Sequence, residues 1–166
     1  MLTDPKLLQR PAQPYVAIVA EMPMAELAGA VDGLFAALFA WLSETGRQAS
    51  GAPFIRYNRI DMASTLELEF GVPVAAPAEG SGRVTAGTLP AGSYATVLYQ
   101  GPYDGLFGAN AALIDWGRHN GIAWDAAPSA AGDRFACRLE TYLTDPRTEP
   151  DPSKWQTEVA IKVVDR

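Results

Sequence analysis

Cysteine and histidine are almost missing from this 166-residue sequence, which has only Cys137 and His119. A single cysteine forbids an intrachain disulfide and a cysteine-rich zinc site. A single histidine leaves any metal site to carboxylates, and no spacing of Asp or Glu supports one. His119 falls at the end of a predicted helix, where a cation suits the dipole. With no Ser or Cys near it in sequence, a nucleophile–base pair has no support. Basic clusters are missing as well: 13 Lys and Arg stand against 19 Asp and Glu, a net charge of −6. Phosphate contacts dominate nucleic-acid affinity, so direct binding to nucleic acid is not expected. An acidic surface repels anionic membranes and mildly attracts cationic ligands. Residues 1–10 hold no apolar signal core. The longest apolar run, 24–42, carries Glu26 and Asp32 and so reads as a core helix, not a membrane span. The expectation is a soluble, cytoplasmic protein with no membrane partner. Gly80-Ser81-Gly82 leads into a strand, so no phosphate-cradling loop is present, and no cofactor is expected.

What the sequence does contain is core material. Hydrophobic residues make up 48%, which argues against disorder and fits one domain, or two small halves sharing a core. Run 15–20 is rich in β-branched residues and reads as a strand, with 7–9 as its partner across a turn at 11–14. Met24, Leu27, Ala28, Val31, Leu34, Phe35, Leu38 and Leu42 recur at helical spacing. Pro23 suits the start of that helix and Gly46 its stop. Strands follow at 54–60 and 65–72. Segment 75–82 is a linker rich in Ala, Pro, Gly and Ser. Strands at 83–89 and 93–100 flank the turn Pro90-Ala91-Gly92. A second helix opens at Gly101-Pro102-Tyr103-Asp104 and runs to Asn120, with Gly121 as its stop. Loops are expected at 122–133 and 145–154, and a last strand at 156–164.

The stretch 137–146 anchors the functional reading. In a strand, Phe135, Cys137, Leu139 and Leu143 line one face and Arg138, Glu140 and Tyr142 the other. The first face reads as core. A glutamate beside a tyrosine on the second is either a ligand-holding pair or an ordinary solvated face.

The two halves match. Ala36-Ala37-Leu38-Phe39-Ala40-Trp41 resembles Ala111-Ala112-Leu113-Ile114-Asp115-Trp116, and at one offset Gly33 pairs with Gly108, Gly46 with Gly121 and Pro53 with Pro128. The pattern predicts a duplication: an α+β domain of two tandem β-β-α-β-β repeats, about 5–75 and 83–166, with antiparallel sheets. A ligand pocket is expected in the cleft between the halves. Strand faces opposite the helices would offer Glu67 and Glu69 from one half, and Glu140 and Tyr142 from the other. Asn110 is a polar residue on the apolar stripe of the second helix, and serves equally well as a core amide or a pocket group. Trp41 and Trp116 read as core. Trp124 and Trp155 lie outside the helices and suit packing better than ligand contact.

Several motifs carry a family resemblance: Pro53-Phe54-Ile55-Arg56-Tyr57, Glu69-Phe70-Gly71-Val72-Pro73-Val74, Leu89-Pro90-Ala91-Gly92-Ser93-Tyr94, Tyr99-Gln100-Gly101-Pro102-Tyr103, Leu139-Glu140-Thr141-Tyr142-Leu143-Thr144-Asp145-Pro146 and Trp155-Gln156-Thr157-Glu158. In this order the sequence resembles the GyrI-like small-molecule-binding domains, which also form the effector-binding part of AraC-type and MerR-type multidrug-sensing regulators. The resemblance implies a glutamate at Glu140 facing bound cations inside an aromatic cage of Tyr57, Tyr103, Tyr142 and Trp155, with Phe107 a weaker member. No helix-turn-helix precedes Tyr15, so a stand-alone module is expected. The ligand implied is a bulky, hydrophobic, often cationic small molecule. Two alternatives stay open. One is a hydrolase of electrophilic cyclopropane-containing compounds using Glu140 and Tyr142. The other is a protein-interaction module of gyrase-inhibitor type, for which no partner is indicated.

Overall fold

The computed structural model describes residues 1–165. Ten strands and two helices follow in order: β1 (Lys6–Arg10), β2 (Gln13–Met22), α1 (Met24–Glu44), β3 (Phe54–Ile60), β4 (Leu66–Pro73), β5 (Val84–Leu89), β6 (Gly92–Gln100), α2 (Leu106–His119), β7 (Ala126–Ser129), β8 (Gly132–Phe135), β9 (Arg138–Tyr142) and β10 (Gln156–Lys162). The architecture is the expected α+β. Gly46 and Gly121 end the helices with φ of 67° and 65°, a left-handed conformation that glycine adopts without a Cβ clash.

The helices pack on one face of the sheet. Leu38 and Leu42 of α1 bury against Val16, Ile18 and Val72. Leu27 packs with Ile55, Leu66, Leu68 and Phe70. Leu106, Ala109 and Leu113 of α2 bury against Ala95, Val97, Val159 and Ile161. Each fully buried side chain of this kind contributes about 1.5–3 kcal/mol. By length and composition alone α1 is apolar enough to cross a membrane, a property shared by core helices; here it lies along β2 and β4.

The strands run in the order β1-β6-β10-β9-β3-β4-β2-β5, every neighbouring pair antiparallel. The halves join at the central pair, β3 and β9. The first strand of each half is exchanged. Segment 7–9, expected to pair with 15–20, lies instead on β6 of the other half, with Arg10 opposite Gly92, while β5 takes the edge of β2, with Gln13 opposite Leu89. Alternation tells a strand which face to bury but not which partner to choose, and both edges of β2 are taken by β4 and β5.

Three further expectations are corrected. Segment 122–133 is not all loop: β7 and β8 form a hairpin, and β8 pairs with β3. Its residues are mostly exposed, so no apolar alternation announces it. Pro128 lies in this hairpin and is not the counterpart of Pro53. Matched strand by strand from the corner prolines Pro11 and Pro90, the halves equate Tyr15 with Tyr94, Glu69 with Glu158, Tyr57 with Tyr142 and Ile55 with Glu140. Leu143, expected in the core, is 48% exposed, because β9 ends at Tyr142.

The largest correction concerns faces. Glu67 and Glu69 do not share a face with Glu140 and Tyr142. Directly opposed residues of paired strands lie on one face, and Glu140 stands opposite Ile55, which is packed beneath α1. Glu140 therefore faces the helices. Leu139 points the other way, into a second core with Tyr15, Ala17, Phe54, Tyr94, Cys137 and Ala160. Glu69 alternates with Leu68 and Phe70, which face α1, so it too points to that second side.

Candidate functional site

Glu140 leaves β9 on the helix face, 7% exposed. The tyrosines at Tyr57 and Tyr142 are structural counterparts in the two halves, and both reach it. Tyr57 lies two residues beyond Ile55 on β3, so it shares that face, and its hydroxyl donates to Glu140 Oε1 at 2.7 Å. Tyr142 lies two residues beyond Glu140 itself and donates to the same oxygen at 2.9 Å. Asn110 reaches down from α2, its Nδ2 donating to Glu140 Oε2 at 3.0 Å and to the Leu106 carbonyl at 2.9 Å. All three donors to the carboxylate are neutral. A buried carboxylate without such bonds would cost several kcal/mol.

An aromatic wall continues outward from this centre. Phe35 of α1 meets Tyr142 edge-on at 6.3 Å and Phe70 at 5.5 Å. Tyr103 meets Tyr142 at 5.6 Å and lies 4.7 Å from Trp155. Trp155 is held by its indole N–H, which donates to the Glu149 carbonyl at 2.7 Å. Tyr103 is 37% exposed and sits at the outer end of this wall. Burial, with lesser contributions from the Asp145 and Asp32 carboxylates, raises its pKa. Burial first, and then the Glu140 charge, raises Tyr57 and Tyr142 well above the ordinary phenol value. Both phenols thus remain donors.

The structure brings Glu140, Tyr57, Tyr142 and Asn110 into one hydrogen-bonded cluster, with Tyr103 and Trp155 beside it. Phe107, on the outer side of α2, is 77% exposed and belongs to no core cluster. Sequence reasoning missed Phe35 and Arg138. Phe35 was legible only as one more apolar position of α1. Arg138 shares the strand face of Glu140, as alternation predicts, but no motif marks it. Its Nη2 donates to Asn110 Oδ1 at 3.1 Å. Trp41 and Trp116 are half-buried rather than core. Trp116 packs against the α2 core, while the Trp41 indole donates to Ser81 Oγ at 2.9 Å.

Glu69 lies on the reverse face. It accepts from the Tyr15 hydroxyl at 2.7 Å and Asn58 Nδ2 at 2.8 Å, with Arg56 Nη1 3.8 Å away. Glu67 is paired with Arg134 at 3.1 Å on the surface. A cavity of about 240 Å³ also opens on this side, lined by Arg10, Pro11, Gln13, Leu89, Pro90, Tyr94 and Leu139. Its polar groups are already engaged. Arg10 is paired with Glu158 at 2.6 Å, Gln13 Nε2 donates to the Pro14 and Val74 carbonyls, and the Tyr94 hydroxyl donates to the Pro90 carbonyl. Among the described residues no group of His, Cys, Asp and Glu side chains is placed to hold a metal ion.

The candidate site is thus a buried carboxylate bonded by two phenols and an amide, beneath two helices on an antiparallel sheet. The chain belongs to the family described as the GyrI-like small molecule binding domain, which it matches over residues 3–164. No curated protein matches the sequence. Among solved structures, the chain is similar to EcmrR in a DNA complex, with TM-score 0.78 and 18% identity, covering 98% of this chain and 58% of that one. This chain thus spans little more than half the length of EcmrR. It is also similar to SAV2435 bound to tetraphenylphosphonium, with TM-score 0.63 and 10% identity over 98% of this chain and 94% of that one. A hydrolase from Listeria innocua is a third likeness, with TM-score 0.61 and 15% identity over 96% and 91%. At such identities these likenesses establish the fold.

Proposed function

We propose that this chain binds bulky hydrophobic small molecules, cations among them, at the aromatic site centred on Glu140. The observation that carries the reading is the carboxylate itself: buried, held by three neutral donors, and walled by Tyr142, Tyr103 and Trp155. A cation supplies charge pairing that phenols cannot, and aromatic faces add about 0.5–2 kcal/mol by cation–π attraction. The tetraphenylphosphonium bound to SAV2435 supports a lipophilic cation as the probe. The test is calorimetric titration of wild type and Glu140→Gln with tetraphenylphosphonium and the neutral triphenylphosphine oxide. The expected loss for the cation is about 2–3 kcal/mol, the Coulomb attraction of unit charges roughly 6 Å apart at an effective dielectric of about 20, with the neutral compound unchanged. Equal affinities in both proteins would remove Glu140 from the site.

The fold shared with a hydrolase from Listeria innocua supports a second reading, hydrolysis of an electrophilic cyclopropane. Glu140 would take a proton from water as the water oxygen bonds to the electrophilic ring carbon, and the cleaved ring bond would leave its electrons on the carbon that is then protonated. Tyr142 would orient the electrophile. Product formation lost in Glu140→Gln, with substrate still bound, is the expected result. Absence of turnover in the wild type would leave binding alone.

A further inference from the structure

We propose that Arg138 is the built-in countercharge of Glu140 and that, acting through Asn110, it sets the preference of this site between cationic and neutral ligands. The inference rests on the binding site proposed above. Arg138 precedes Glu140 by two residues on β9, so its side chain leaves the same face. Its guanidinium lies 4.9 Å over the Phe135 ring, which holds it in place beside α2. Nη2 donates to Asn110 Oδ1 at 3.1 Å, while Asn110 Nδ2 donates to Glu140 Oε2 at 3.0 Å. An amide oxygen only accepts and an amide nitrogen only donates. Arg138 and the Leu106 carbonyl together therefore fix which end of the amide meets the carboxylate. Tyr57, Glu140 and the exposed Asp133 are the groups in electrostatic range of the guanidinium.

The arrangement differs from a direct salt bridge in one useful respect. A guanidinium forked onto Glu140 would pair its charge completely and fill the space against the carboxylate. Held one amide away, Arg138 offsets the charge only in part and makes no contact with the carboxylate itself. An entering cation then shares Glu140 with a cation already present, and its Coulomb gain is reduced. A neutral ligand loses nothing. The site is thereby suited to neutral and singly charged ligands together.

Arg138→Met keeps the apolar stem over Phe135 and removes the charge; Arg138→Lys keeps the charge. In calorimetry, Arg138→Met should bind tetraphenylphosphonium about five- to tenfold more tightly, the scale of one partly screened charge nearby. Affinity for triphenylphosphine oxide should stay within about twofold, and Arg138→Lys should return the wild-type ratio. The tightening should vanish in the Glu140→Gln background. Equal changes for both probes, no change for either, or Arg138→Lys behaving like Arg138→Met would overturn the proposal. A ligand-free measurement separates this failure from failure of the binding reading. Urea unfolding of Arg138→Met, Glu140→Gln and the double variant forms a cycle. The double variant should be more stable than the sum of the single losses implies. Strict additivity would overturn the countercharge even if neither probe binds.

Discussion

Two glutamates are buried among the described residues, Glu69 and Glu140, and they have been given nearly the same partners. Each accepts from a tyrosine hydroxyl and an asparagine amide, and each has an arginine nearby. The difference lies in where the arginine stands. Arg56 approaches Glu69 at 3.8 Å and donates to Tyr15 at 2.9 Å and to the Ala136 carbonyl at 2.9 Å. Arg138 reaches Glu140 only through Asn110. Beyond Glu69 lies the second core, with Phe54 edge-on to Tyr15 at 5.5 Å. Beyond Glu140 lies an aromatic wall ending at half-exposed Tyr103. The same residue types make two equally buried clusters, one backed by the second core and the other bordered by a row of aromatic rings that reaches the surface. Both arginines reach their glutamate through one intervening polar group, Tyr15 in one case and Asn110 in the other, but only Arg56 also comes within ion-pair distance of the carboxylate.

The comparison breaks most visibly at Arg56. Arg56→Ala leaves Glu69 buried without its cation and the Ala136 carbonyl without its donor. The expected cost is about 3–5 kcal/mol, as for one partner removed from a buried pair, measured by urea unfolding. Ligand affinity of the folded fraction should not change. A loss near zero would make Glu69 as independent of its arginine as Glu140 is of a direct one.

The aromatic wall gives a smaller effect of opposite kind. Tyr103→Ala should weaken tetraphenylphosphonium by about 0.5–2 kcal/mol and leave stability nearly unchanged, because Tyr103 is partly exposed and outside the core clusters. Phe107→Ala, at a side chain far more exposed, serves as the control. Calorimetry showing a larger loss for Phe107 than for Tyr103 would move the ligand onto the outer side of α2.

The smallest expected effect is with pH, and it sharpens the likeness between the sites. Burial raises Tyr15 as well as Tyr57 and Tyr142 above the ordinary phenol value of 10.0. Above that value the unfolded chain releases these protons while the native state keeps them. The stability they contribute is therefore complete below pH 10 and declines as pH rises toward the native values. Ultraviolet titration should find these phenols silent until the protein unfolds. Ionisation of all the tyrosines near pH 10 in the folded protein would contradict the burial of both glutamate clusters.

The sequence by itself determined the local events. Alternation placed the strands carrying Leu66, Leu68 and Phe70 and carrying Leu139 and Glu140. Helical spacing placed Leu38 and Leu113, and glycine chemistry ended both helices. It also determined that Glu140 and Tyr142 would leave β9 on the side away from Leu139, because a strand has a period of two. The family motifs named Tyr57, Tyr103, Tyr142 and Trp155 as a cage; Tyr57 and Tyr142 donate to that glutamate, Tyr103 lies against Tyr142, and Trp155 lies against Tyr103. Tertiary structure decided what no local period contains. It chose β6 as the partner of β1, turned Glu140 toward the helices and Glu69 away from them, and hung Asn110 between Arg138 and Glu140. Each of those outcomes joins residues far apart in the chain. Alternation says only that two faces differ; which face the helices cover depends on how the β3–β9 pair joins the halves.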